Sequence, residues 1–267
     1  MSRLNATFEH LKAQNKTALV PYIMCGDPDF DTTVRLMHAL VNSGCNIIEL
    51  GVPFSDPMAD GPVIQAAAER VLLNHVSLSD VIDVVARFRE TDTETAVILM
   101  GYLNPIEVMG YQVFAEKASA AGVDGALTVD IPPEEAAEYT QLLKAKGIDP
   151  IYLLAPTSDD ARIASIANVA AGFVYYVSLK GVTGAASLDI DSVVEKLQQI
   201  RRQISLPVGV GFGISDAETA AKLSKVADAI VVGSAIVKRM AEYGHQPDQL
   251  IQSVTELTAS MRKAMDQ

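Results

Sequence analysis

Short, almost wholly apolar runs alternate along the chain with longer stretches in which apolar residues recur every three or four positions. The short runs read as strands at Ala18–Met24, 46–50, Ala96–Gly101, 124–129, 150–154, 173–177, 207–210 and 228–232. Most are apolar on both faces, as expected of parallel strands covered by helices. The longer stretches read as amphipathic helices with recognisable ends. Val34, Met37, Leu40 and Val41 share one helical face, and Gly44 supplies a stop. Ser77 to Asp80 predicts a helix start within the long second connection. Pro132-Pro-Glu-Glu135 predicts a start that Gly147 closes. Ser215 to Glu218 matches a capping box directly after the seventh strand. Leu4, Phe8 and Leu11 predict one extra helix before the first strand, placed to cover a barrel floor.

Eight strand–helix units in a chain of 267 residues predict an α/β fold, a (β/α)8 TIM barrel with an extra N-terminal helix. An open eight-stranded sheet fits the same periodicity and stays as the alternative. No linker, low-complexity tract or repeat divides the chain, so residues 1–267 are expected to form a single domain.

Composition narrows the function classes. Hydrophobic residues make up 49% of the chain and charged residues 20%, enough for a large core. The formal net charge of −12 argues against a nucleic-acid or anionic-membrane partner, because both need clustered Lys and Arg. A small phosphorylated ligand remains compatible, since backbone N–H groups hold phosphate without net positive charge. Cys25 and Cys45 have no neighbours at metal-ligand spacing, so no metal site is expected. The N-terminus has no apolar signal core, and no apolar run reaches the ~18 residues of a membrane span. A cytoplasmic protein is the expectation.

In a barrel, function gathers at the strand C-terminal ends and the loops beyond them. The unusual residues fall there. Glu49 interrupts an apolar strand, where an ionised carboxylate is costly unless something answers it. Asp60 follows on a Pro- and Gly-punctuated loop, and the two acids suggest a proton-transfer pair. An ion-paired structural role for Glu49 and a helix-capping role for Asp60 are the competing readings. Gly211, Gly213, Gly233 and Ser234 sit where two neighbouring strands feed helix N-termini, a suitable cradle for phosphate. Tyr22, Met100, Tyr102, Leu127, Tyr175 and Phe212 offer an apolar or aromatic lining for a flat group, or ordinary core. His10, His38, His75 and His245 fall on helical patterns away from strand ends, and no catalytic role is expected of them.

The run Glu49-Leu-Gly-Val-Pro-Phe-Ser-Asp-Pro-Met-Ala-Asp-Gly-Pro62 resembles the signature of the tryptophan synthase alpha subunit family. Cys25-Gly-Asp-Pro28, Tyr102-Leu-Asn-Pro105, Asp130-Ile-Pro-Pro133, Gly181-Val-Thr-Gly184, Gly209-Val-Gly-Phe-Gly213 and Gly233-Ser234 follow in the family's order, so the likeness spans nearly the whole chain. It implies a carbon–carbon lyase that splits indole-3-glycerol phosphate into indole and glyceraldehyde 3-phosphate, with no cofactor of its own. By the same resemblance Glu49 would be the general acid/base and Asp60 would hold the indole nitrogen. Gly184, Gly211, Phe212, Gly213, Gly233 and Ser234 would surround the phosphate, and Tyr22, Met100, Leu127 and Tyr175 would border the indole. Thr183 would close over the site and steady Asp60. The family works as an αββα complex in which a beta subunit carries pyridoxal phosphate and receives the indole through a tunnel. The loop 53–60 would then also touch that partner. Tyr22 stands where many members carry Phe, Met100 where Leu is common, and Lys180 in a lid that carries Arg in some relatives.

An epimerase of the ribulose-phosphate type would want metal-binding His at strand ends, and indole-glycerol-phosphate synthase a catalytic Lys on a strand; neither pattern is present. A largely non-catalytic activator of a beta subunit is the alternative from another class.

Overall fold

A computed structural model describes residues 2–178, 190–211 and 213–267. Its eight strands are β1 Ala18–Met24, β2 Ile47–Gly51, β3 Ala96–Gly101, β4 Gly125–Thr128, β5 Asp149–Leu154, β6 Val174–Val177, β7 Val208–Gly211 and β8 Ala229–Val232. All pair in parallel with their neighbours in chain order, and β1 pairs with β8 to close the barrel. Closure excludes the open-sheet alternative. Six of the eight predicted strands shift by one residue at one or both ends; β2, for example, continues to Gly51.

The period of two along each strand explains which residues meet inside. Ala18 and Val20 on β1, Ile47 on β2, Ala96 and Ile98 on β3, Leu127 on β4, Ile151 on β5 and Phe173 before β6 pack together in the barrel interior. Their neighbours Leu19, Ile23, Ile48, Leu50, Val97 and Leu99 face outward and pack in the larger layer beneath the helices. The next inward position on β1 is Tyr22, and on β2 it is Glu49. Both therefore occupy the upper layer of the barrel, and the strand register sets them side by side.

The floor is closed by α1 (Arg3–Ala13). Leu4, Phe8 and Leu11 are buried on one face and join the interior cluster, as their spacing predicts. Above them the wall carries α2 (Phe30–Asn42), α3 (Pro62–Leu72), α4 (Leu78–Arg89), α5 (Leu103–Met109), α6 (Tyr111–Ala121) and α7 (Ala137–Ala145). It continues with α8 (Asp160–Val169), α9 (Ile190–Arg201), α10 (Ala217–Leu223), α11 (Ser234–Tyr243) and α12 (Pro247–Met265).

The Ser77–Asp80 capping box forms as expected, with reciprocal side-chain and backbone bonds. Two predicted helix starts move. After β7 the cap is Asp216, which accepts from the Thr219 N–H at 2.8 Å, because Ser215 lies one residue too early. The Pro132 segment forms a turn closed by the Glu135 N–H to the Pro132 carbonyl, and α7 begins only at Ala137. His75 and His245 also lie in turns rather than in helices.

Candidate active site

At the C-terminal mouth of the barrel a cavity of about 450 Å³ is walled by Tyr22, Glu49, Asp60, Ile64, Met100, Tyr175, Gly213, Ser215, Gly233, Ser234, Lys238 and Arg239, among others. It brings together both predicted carboxylates, three of the four predicted indole-side residues and three of the predicted phosphate-side residues. Leu127 is not in this wall; it packs in the barrel interior beneath the site. Gly211 is not in the wall either. A Cβ there would stand 2.0 Å from the Tyr175 hydroxyl, so its missing side chain makes room for that tyrosine. Thr183, Gly184, Phe212 and Lys180 lie outside the described residues.

Glu49 is 1% exposed, and its Oε1 finds no hydrogen-bond partner among the described residues. Among the described residues no cation pairs with it, which argues against the ion-paired structural reading. A buried carboxyl without a partner keeps its proton. Burial, and then the nearby Asp60 charge, push its pKa from an ordinary 4.5 up to about 8. Asp60 is half-buried, and burial pushes it up to about 6, while a hydrogen bond with Tyr102 pulls the other way. Two like groups in one cavity thus hold different protonation states near pH 7, a pattern that separates an acid from a base.

The loop 52–61 that carries Asp60 is tied down at several points. The Tyr102 hydroxyl accepts from the Ala59 N–H at 3.0 Å, and its ring stacks on Phe54 with centroids 5.2 Å apart. Gln65, in the first turn of α3, donates to the Asp60 carbonyl at 2.8 Å. Gly61, not Asp60, is the N-cap of α3, and Pro62 takes the first helical position. The Asp60 carboxylate is therefore not used as a cap, which removes that reading too.

Tyr22 crosses the upper wall. Its Cβ side adjoins Gly233, and its hydroxyl lies over Gly51, where a Cβ would stand 2.2 Å from the oxygen. Gly213 has φ +77°, a left-handed conformation that favours glycine, and open space faces its missing side chain. Gly233 caps α11 and Ser234 opens it, so this ten-residue helix points its free N–H groups at the same end of the cavity. The helix is the extra one between β8 and α12, the position from which this fold recruits phosphate.

Sequence reasoning missed Ser215, Ile64, Lys238 and Arg239. Ile64 and the two cations lie on helices whose phase about the barrel is not written in local periodicity. The sequence marks Tyr102 as a lining residue, but not as a hydrogen-bond partner of Asp60. Other motifs in the mouth loops build architecture. Asp27 is buried and accepts from Arg70 Nη2 at 2.6 Å, joining the loop after β1 to α3. Asp29 caps α2, and Asp130 accepts from the Leu103 N–H at the start of α5. Among the described residues none of the four His lines the cavity, and no cluster of His, Cys, Asp and Glu could hold a metal ion. Cys25 and Cys45 are buried free thiols. No helix among them is long and apolar enough to cross a membrane.

Comparison with known proteins agrees with this geometry. The family model described as tryptophan synthase alpha chain matches residues 8–266. A tryptophan synthase alpha chain from Thioalkalivibrio sulfidiphilus is 62% identical over 266 residues, covering 100% of both chains. One from Methylococcus capsulatus is 54% identical over the same length. Among solved structures, tryptophan synthase subunit alpha from Legionella pneumophila superposes with a TM-score of 0.92 at 45% identity, covering 100% of this chain and 99% of that one. A chain from the tryptophan synthase α2β2 complex of Pyrococcus furiosus gives a TM-score of 0.85 at 38% identity, covering 92% and 98%.

Proposed function

The chain belongs to the tryptophan synthase alpha chain family, a carbon–carbon lyase that cleaves indole-3-glycerol phosphate, and on that premise we propose that Glu49 and Asp60 carry the reaction. The observation that carries this reading is the buried Glu49 carboxyl, whose Oε1 has no hydrogen-bond partner among the described residues, facing the same cavity as the more acidic Asp60.

The substrate's bond between indole C3 and the first glycerol carbon cannot break while the ring keeps its electrons at C3. Glu49, protonated near neutral pH, gives its proton to C3. The N–H of the ring then carries positive charge, and the Asp60 carboxylate stabilises it by accepting the N–H hydrogen bond. The ionised Glu49 takes the proton from the neighbouring glycerol hydroxyl. As that oxygen becomes the aldehyde carbonyl, the C3–carbon bond breaks and its electron pair restores the indole ring. Glu49 ends with a proton, as it began, and the products are indole and glyceraldehyde 3-phosphate.

Tyr22, Met100 and Tyr175 flank the indole, with Leu127 beneath them. Gly213, Gly233 and Ser234 receive the phosphate, helped by Gly211 through its packing with Tyr175. Thr183, Gly184 and Phe212 complete the set through the family resemblance. The chain works as one (β/α)8 domain, in the cytoplasm and without a cofactor of its own. Its partner is a pyridoxal-phosphate beta subunit, in an αββα complex. Met58, on the loop after β2, and Val108, on α5, support that assembly; both are large apolar side chains more than four-fifths exposed.

The test is indole release from indole-3-glycerol phosphate, measured with and without beta subunit. Glu49→Gln keeps the shape but cannot exchange protons, and it should lower kcat by about 10²–10⁴-fold. An unchanged rate would remove Glu49 from the chemistry.

A further inference from the structure

The cavity that holds Glu49 and Asp60 also meets two cations, Lys238 and Arg239, in a protein with a formal net charge of −12. Both stand on α11, four residues after Ser234 and Ala235 respectively. Four residues is close to one helical turn, so Lys238 shares the Ser234 face. Helical side chains lean toward the N-terminus, so both cations reach back to the end where Gly233 and Ser234 meet the cavity. Arg239 does so visibly, its Nη1 donating to the Ala235 carbonyl at 2.7 Å. Neither cation forms a salt bridge with a carboxylate among the described residues. Glu242, the nearest acid on the same helix, is engaged with Tyr243.

We propose that Lys238 and Arg239 form the cationic outer wall of the phosphate end, recruiting and holding the substrate's phosphate dianion without taking part in proton transfer. The inference rests on the phosphate-ester reading above. It answers a question of charge. A helix N-terminus offers only about half a positive charge, and the same cavity contains Asp60, ionised above about pH 6. An incoming dianion meets that carboxylate and the acidic surface beyond it, and two formal cations offset both. The phosphate is unchanged by the reaction, so its contacts are equal in ground and transition states. They lower KM and leave kcat alone.

The experiment compares wild type, Lys238→Met, Arg239→Met and the double variant, with kcat and KM for indole-3-glycerol phosphate measured across ionic strength. The double variant should raise KM about tenfold with kcat within about twofold, and its KM should respond much less to salt than that of wild type. Competitive inhibition by inorganic phosphate should weaken in the double variant, while inhibition by a neutral indole-bearing alcohol should not. The charge-preserving Lys238→Arg and Arg239→Lys should keep KM near wild type. Lys238 is exposed, so Lys238→Met tests the idea even if the double variant folds poorly. Wild-type indole release with identical KM, salt response and phosphate inhibition in the variants would overturn this inference alone. A wild-type protein that releases no indole would overturn the underlying reading and this inference together.

Discussion

A carboxyl at position 49 with the ordinary value of 4.5 would be ionised at neutral pH and could not deliver a proton. The protein changes that by burying Glu49 with no hydrogen-bond partner for its Oε1 among the described residues, and it holds Asp60 differently, half-buried and bonded to Tyr102. The sequence shows the first of these as a carboxylate in an apolar strand. It does not show the second, because Tyr102 lies 42 residues beyond Asp60 and meets it only after the barrel closes. Tyr102→Phe therefore tests the division of labour. Loss of its hydrogen bond should raise the Asp60 pKa, moving the acid limb of the kcat/KM profile to higher pH, and an unmoved limb would show that Tyr102 does not set the Asp60 charge. The two glycines opposite tyrosine hydroxyls, Gly51 and Gly211, are a second feature hidden from local reading. Their meaning depends on which side chain the neighbouring strand presents.

Among the elements, strands are readable as two-faced apolar runs, and the inward pairs Ala18 and Val20 on β1 and Ala96 and Ile98 on β3 follow from a simple period of two. Helix ends were read less well where turn chemistry competes. Pro132-Pro133 forms a turn of its own before α7, and Asp216 outcompetes Ser215 as the α10 cap. The extra helix α1 was readable from Leu4, Phe8 and Leu11, and the structure gives it a clear load. Leu4 is fully buried, and its Cδ1 approaches to within about 3 Å the positions a Cβ would take on Gly125 and Gly172. Leu4→Ala should open a cavity at the barrel floor and cost about 2–5 kcal/mol in chemical denaturation, with kcat little changed in protein that remains folded. A loss below about 0.5 kcal/mol would mean that α1 is not part of the cooperative core.

For the whole molecule, the active site is a stability cost with a definite pH dependence. Glu49 and Asp60 both have folded-state values raised above the unfolded ones, to about 8 and about 6. The folded state therefore binds protons more tightly, so their contribution is fully present below about pH 4 and is lost as pH rises through 6 and then 8. Glu49→Gln should be close to wild type in stability at pH 5 and more stable at pH 9, by on the order of 3 kcal/mol. Equal responses of the two proteins to pH would show that Glu49 is not held protonated by the fold. The barrel, the mouth and the acid pair were all readable in the chain. The cations of α11 were not, because a helix's rotation about the barrel is set by packing against β1 and α3 rather than by its own sequence.

Two carboxyls hold opposite protonation states in one cavity, and the pH profile of indole release from indole-3-glycerol phosphate tests that most directly. The expected profile is a bell in kcat/KM, rising near pH 6 as Asp60 ionises and falling near pH 8 as Glu49 loses its proton. Asp60→Asn should lose the rising limb at much reduced activity. A profile flat from pH 5 to 9, or one whose alkaline limb survives in Glu49→Gln, would contradict it.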